Sequence, residues 1–426
     1  MARSALLCGF SLLAAAAAED NALRQHFRGF VASHGRDYAG DSEEYERRFA
    51  LFQQHVAAVE AQNAQAGRRW TAGVNGLADR TAQELAALRG YRHGARSSAA
   101  AAAAVGGLGL ATVSARDVDI AELPRDFSWK PHLQAMLDVV DQGRCGSCWA
   151  VSSATVLRAH SELYQADRKF SVQQIVDCTP NPKSCGGQGG CKGATAELAM
   201  EYAAKRGLVL AEERAYTATD NDCPSSMQVD GGSASSFLAL RGKGGATVHS
   251  SGDGSFTVEG GDGAKFGLIG WRKLPENKAE PLMEALYTSG PVTVSVAASS
   301  EWSLYSSGVM DACERDAVIN HAVVLTGFGK EKADGYWQIQ NSWGPSWGES
   351  GFIRILRRDT KEENDFCGWD NKPEEGTACA GGPSRVRVCG SCGVLYDSVV
   401  PIFRLSPQGW WHKHGNRSVT EAAAAA

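Results

Sequence analysis

Three stretches of the chain carry residue types that together can do nucleophilic chemistry. The first is Gln142-Gly143-Arg144-Cys145-Gly146-Ser147-Cys148-Trp149. Far downstream come Asn320-His321-Ala322-Val323-Val324 and then Asn341-Ser342-Trp343-Gly344. A thiol, an imidazole and a side-chain amide, in that order, are the parts of a cysteine nucleophile, its base and the group that orients the base. A free thiol titrates near pH ~8.5, so only a few per cent is thiolate at neutral pH and its surroundings must lower that value. A helix N-terminus beneath Cys148 is one means, because unpaired N–H groups favour an anion. A charged imidazole beside the sulfur is another.

Such a set works only if the fold brings its members together. Trp149, Ser152, Val156, Ala159 and Leu163 step by three and four, which predicts a one-sided helix starting at the cysteine. Val156, Ala159 and Leu163 would bury that helix and fix the sulfur. Residues 123–225 read as helical and cysteine-rich, whereas 291–297, 322–328, 336–340 and 351–356 are apolar or β-branched runs that read as strands. Helices followed by strands predict an α+β protein with two lobes.

The run 145–149, the glutamine ahead of it, the His321 stretch and the block from Asn341 to Gly348 resemble, in type and order, the papain-like cysteine proteases, and more closely their cathepsin L-like members. The resemblance covers roughly residues 20–401. It implies a papain-like two-lobed fold, a helical lobe plus a β-barrel-like lobe, preceded by a helical inhibitory prodomain. It implies a cysteine endopeptidase acting on polypeptide substrates without metal or organic cofactor. Cys148 would be the nucleophile and His321 its partner. Asn341 would hold the imidazole, with Trp343 covering that bond. Gln142 and the Cys148 backbone N–H would receive the oxyanion. Gly193, Ala194, Ser295, Ile319, Asn320 and Asp397 fall at positions that line the substrate cleft in this family; an acid such as Asp397 at the base of the S2 pocket would favour a basic P2 residue. Ala194 stands where the family has glycine. The resemblance pairs Cys145 with Cys191, Cys178 with Cys223, and Cys313 with Cys367. Cys185, Cys379, Cys389 and Cys392 remain, with three pairings open.

The ends of the chain say where it works. Arg3, an apolar run at 6–13 and small residues at 14–18 read as a signal peptide. With eleven of the twelve cysteines behind such a leader, disulfides are expected and zinc is not. A net charge of −5 leaves no basic footprint for nucleic acid. A monomer without a membrane span is expected, in the secretory pathway, either lysosomal or vacuolar or extracellular.

Residues 19–96 read as an inhibitory propeptide. Glu44, Arg48, Phe52, His55, Val59 and Asn63 lie on one helical face and resemble the first propeptide motif of the cathepsin L-like zymogens, with His55 where the motif has Asn. Gly73, Asn75, Leu77 and Asp79 resemble the second motif. Residues 97–110 are almost all Ala, Ser and Gly, and 97–116 reads as a protease-sensitive linker. The peptidase domain is set at 117–401, with a Gly- and Ser-rich inserted loop at 228–265, a cysteine-containing insertion at 369–391, and a tail at 402–426. The first insertion accounts for a Cys148-to-His321 gap longer than the ~130–150 residues usual for the family. Two other readings share these residues: an acyl transferase or peptide ligase using the same triad, and an inactive propeptide-type inhibitor.

Overall fold

The computed structural model describes residues 2–38, 42–90, 122–229 and 246–406, with side chains from Ala18 onward. The leader side chains, the proposed linker at 97–116 and the tail from 407 lie outside the described residues. Among the described residues no helix is long and apolar enough to cross a membrane.

The amino-terminal unit is built on two helices, α1 (Ala2–Ser33) and α2 (Ser42–Ala64). They cross on aromatic rings, Phe27 and Phe30 of α1 each 5.1 Å from Phe52 of α2. Arg48 on α2 donates to Glu44 and Glu84 and to the backbone carbonyl of Asp79, tying the helix to the segment that follows it. That segment runs through β1 (Trp70–Ala72) and α3 (Ala82–Ala87), which is closed at its start by a reciprocal Thr81–Glu84 capping box.

Next come β2 (Phe127–Ser128) and the helical lobe: α4 (Cys148–Tyr164), α5 (Val172–Cys178) and α6 (Ala196–Arg206). Val156, Ala159 and Leu163 of α4 are fully buried, as the periodicity required. The strand lobe contains β3 (Thr247–Ser250), β4 (Ser255–Glu259), β5 (Leu268–Lys273), α7 (Ala279–Thr288), β6 (Val292–Val296), β7 (Tyr305–Met310), β8 (His321–Glu331), β9 (Asp334–Gln340) and β10 (Phe352–Arg357). After α8 (Thr360–Asp365) come β11 (Cys367–Asp370), β12 (Val386–Cys389) and β13 (Asp397–Phe403). The main sheet runs β1-β7-β10-β9-β8-β6-β13-β5-β4-β3, with β2 on β8. Its end strands are not paired with each other, so it is an open sheet and not a closed barrel. The architecture is the α+β one expected. The propeptide contributes β1, which pairs with the lobe's edge strand β7.

Two expectations need correction. The inserted loop expected at 228–265 is structured from Thr247 on. There β3 and β4 form an antiparallel hairpin that extends the sheet beyond β5, and Phe256 stacks on Trp271 at 5.1 Å. Residues 230–245 lie outside the described residues; within the hairpin the turn glycine is Gly254, with φ +81°, and the alternation Val248/Ser250 and Phe256/Val258 was the strand signal. The second correction concerns Cys313, which is bridged to Cys392 and not to Cys367. Cys367 stands opposite Cys389 in the β11–β12 register, so those two sulfurs meet. Cys185 joins Cys379, and the bridges Cys145–Cys191 and Cys178–Cys223 are present.

Candidate active site

Cys148 opens α4 and is the free cysteine among the residues whose side chains are described. The Cys145–Cys191 bridge pins the loop that leads into it, with 4.6 Å between the Cα atoms. The backbone N–H groups of Ala322, Trp149 and Cys148 itself point to the sulfur. His321 is the first residue of β8, held by pairing with β6. Its Nε2 lies 2.8 Å from Oδ1 of Asn341, just beyond β9, and its other nitrogen, Nδ1, is buried with no hydrogen-bond partner. Trp343 stacks on the imidazole, centroids 5.1 Å apart, and Trp302 meets it edge-on. Cys148 and His321 line one cavity of about 20 Å³, room for roughly one water.

Gln142 is fully buried; its Oε1 accepts from Ser342 Oγ, which turns the amide N–H groups toward Cys145 O and Leu88 O, each at 2.8 Å. Leu88 belongs to the amino-terminal unit. The next residue, Arg89, donates to Ala298 O at 2.8 Å. Gly90 then lies against the sulfur; a Cβ on it would stand 3.4 Å from Cys148 Sγ. Its φ of +76° disfavours a side chain at Gly90, and across the cleft a Cβ on Gly193 would meet the Gly90 carbonyl at 2.1 Å. The chain's own backbone fills the cleft.

A family model described as papain family cysteine protease matches residues 123–376, and one described as cathepsin propeptide inhibitor domain matches residues 27–85. The chain belongs to the papain family of cysteine proteases. Among curated relatives, the senescence-specific cysteine protease SAG39 of Oryza sativa subsp. japonica is 29% identical over 87% of this chain and 95% of its own length. Cathepsin L of Sarcophaga peregrina is 27% identical over 81% and 90%. The oryzain beta chain of Oryza sativa subsp. japonica is 29% identical over 74% of this chain, but the match spans 58% of that relative. The fold resembles digestive procathepsin L 3 of Tenebrio molitor larval midgut, at TM-score 0.62, 22% identity and coverage of 89% and 99%. It also resembles a recombinant stem bromelain precursor, at TM-score 0.59, 24% identity and coverage of 90% and 99%.

In this papain-family zymogen burial disfavours charge on both Cys148 and His321. Burial pushes the Cys148 thiol up to about 11, against the pull of its three N–H contacts. Burial lowers His321 to about 4; the Asn341 contact opposes this, and the positive Arg89 adds to it. The thiolate–imidazolium pair expected from the sequence is therefore absent while Leu88–Gly90 cover it, because both charges would be formed out of water.

Of the other sequence-derived candidates, Gly193, Ala194, Ser295, Ile319 and Asn320 line the cavity that Cys148 and His321 share. Asn320 Oδ1 accepts from the Ala298 N–H, and the Ile319 N–H donates to Asp370. Asp397 is not among the lining residues. Ser295 stands in front of it, donating to Oδ2 at 2.6 Å, and Lys273 reaches its other oxygen at 3.2 Å. Lys273 also lies 3.6 Å from Glu197, and its ammonium is held charged first by Asp397. Burial and then Asp397 push the Glu197 carboxyl up. The sequence reading missed Lys273, Glu197 and Ser342; none carries a local signal, since each acts on a partner distant in the chain.

Proposed function

We propose that the mature enzyme hydrolyses peptide bonds through an acyl-enzyme on Cys148. Once Leu88–Gly90 leave, water enters the cleft and the penalty on both charges falls. The thiol proton passes to His321 Nδ1, and the thiolate attacks the scissile carbonyl carbon. Gln142 Nε2–H and the Cys148 N–H receive the oxyanion. The C–N bond breaks as His321 returns its proton to the leaving amine. His321 then takes a proton from water, whose oxygen attacks the thioester, releasing the acid and restoring the thiol. Asn341 holds the ring so that Nδ1 stays toward the sulfur.

One observation carries this reading: the Leu88 carbonyl is held by the Gln142 amide while Gly90 lies on the sulfur. A peptide backbone thus already occupies the place a substrate would take. The segment enters beside Gly143 and Trp343 and leaves past Gly193. With Ala194 and Ile319 flanking P2, that sense is opposite to a substrate's, which supports inhibition without cleavage. The disulfides support passage through an oxidising secretory compartment.

The test is acid activation of the purified zymogen, followed by labelling with iodoacetamide and assay on fluorogenic peptides. Labelling at Cys148 and hydrolysis are expected, both absent in Cys148→Ser. An activated enzyme whose hydrolysis survives Cys148→Ser would refute the proposal.

A further inference from the structure

The stretch between β11 and β12 does more than join two strands. At its root, Asp370 is fully buried and accepts the N–H groups of Ile319 at 3.0 Å and Lys372 at 2.7 Å. The root is thereby fixed to the wall of the cleft that carries His321. Residues 373–379 then cross toward the helical lobe. Gly376 lies flat on that wall; a Cβ there would meet the Ile319 carbonyl oxygen at 1.9 Å. On the opposite wall the Gly186 N–H donates to Ala378 O at 3.0 Å. A Cβ on Gly186 would meet Gly376 O at 2.6 Å and Ala194 O at 3.0 Å. The crossing ends in the Cys185–Cys379 disulfide. A strap rooted in the strand lobe is thus covalently fastened to the helical lobe, and it spans the gap between Ala194 and Ile319.

A peptide that ran the whole cleft would have to pass between those two residues. The strap occupies that passage. Glu375 and Gly376 line the same cavity as Cys148, so the barrier stands close to the nucleophile. The Glu375 side chain is only 11% exposed, and Lys372 reaches it at 3.3 Å. Arg89 of the propeptide lines the same cavity, its guanidinium attracted by Glu375. In the zymogen, then, a cation of the propeptide shares the closed end of the cleft with a carboxylate.

We propose that the strap 373–379 makes the mature enzyme an amino-terminal exopeptidase. A bound peptide has at most two residues ahead of the bond attacked by Cys148, and Glu375 receives its free α-ammonium. This rests on the cysteine-peptidase reading above and narrows its substrate class to peptides with an unblocked amino end. Each turnover adds one water across a peptide C–N bond, giving a free amino acid or dipeptide and a peptide with a new amino terminus. That product is itself a substrate, so the enzyme shortens a chain stepwise.

The test uses activated full-length enzyme and three substrates sharing P1 and the same fluorogenic leaving group: a free-amine dipeptide, its N-acetylated form, and an N-acetylated tetrapeptide. A charged partner lost from a largely buried carboxylate predicts kcat/KM at least roughly tenfold higher for the free amine than for either blocked form. An unlabelled decapeptide should lose residues from its amino end in order, read by mass spectrometry. Glu375→Gln should shrink the ratio by raising KM for the free-amine substrate. Cys185→Ser/Cys379→Ser, which frees the strap, should gain cleavage of the blocked tetrapeptide. Wild-type enzyme that cleaves the blocked tetrapeptide as well as the free dipeptide, or cuts the decapeptide internally first, overturns the proposal while leaving the peptidase reading intact. No hydrolysis of any substrate and no labelling of Cys148 overturns both.

Discussion

Acid should loosen this zymogen through His321. In the closed state burial holds the imidazole near 4; released into water it returns to about 6.5. A base with a depressed pKa binds its proton only in the open state. The closed state therefore keeps its full stability above pH ~6.5, loses it as pH falls toward 4, and loses nothing more from this group below that. Moving from pH 7 to 5 shifts the balance by about 1.8 kcal/mol, roughly a 20-fold rise in opening. His55 acts in the same direction, since burial on α2 also lowers it. Glu84 does not contribute in this window. Burial is the largest single influence and opposes its ionisation, but the hydrogen bonds from Arg48 and Thr81 and the Arg48 charge together outweigh it and bring the carboxyl to about 2, so its stabilisation fades only as pH falls from about 4.5 toward that value. The assay uses the His55→Asn/Cys148→Ala zymogen, which cannot cut itself and reports on His321 alone. Hydrogen exchange at residues 82–90, corrected for intrinsic rates, should show the opening constant rise by that factor between pH 7 and 5. An NMR titration of the His321 ring should show no proton uptake above pH 5. A ring that titrates near 6.5 in the closed zymogen, or protection that does not change with pH, would refute the reasoning.

Asp79 is 1% exposed and accepts from Arg36 at 2.8 Å and Tyr38 at 2.7 Å. Asp79→Ala strands the Arg36 charge and should cost about 3–5 kcal/mol of propeptide stability, seen as a lower melting transition and faster self-activation at neutral pH. Gln142→Ala should lower kcat of the mature enzyme by ~10²–10³ with iodoacetamide labelling of Cys148 retained; a loss confined to KM would argue against oxyanion binding. Lys273→Met removes the cation from between Asp397 and Glu197. The kcat/KM ratio of Arg-Arg to Phe-Arg dipeptide substrates should rise roughly tenfold, and an unchanged ratio would show that the buried acids do not act on P2.

The parts of this site that sequence made legible are the local ones. The helix under Cys148 could be read because its apolar stripe has a period, and the strands at β6, β8, β9 and β10 because their runs are continuous. The hairpin β3–β4 was hidden by its glycines. The pairing of Cys313 was hidden because the β11–β12 register, which sends Cys367 to Cys389, follows from hydrogen bonds between strands and not from spacing. Lys273 was invisible for the same kind of reason: its meaning depends on which carboxylates two neighbouring elements bring to it.

The order of thiol, imidazole and amide along the chain, and the helix that must carry the thiol, belonged to the sequence alone, because residue type and helical period are properties of the chain itself. Whether those groups are charged, what covers them and how far the cleft extends were decided only by the tertiary structure. Leu88–Gly90 keep water from the sulfur and the ring, and the strap joins walls that lie far apart in the chain. Desolvation and steric closure are set by what lies near in space, and a one-dimensional pattern does not record that.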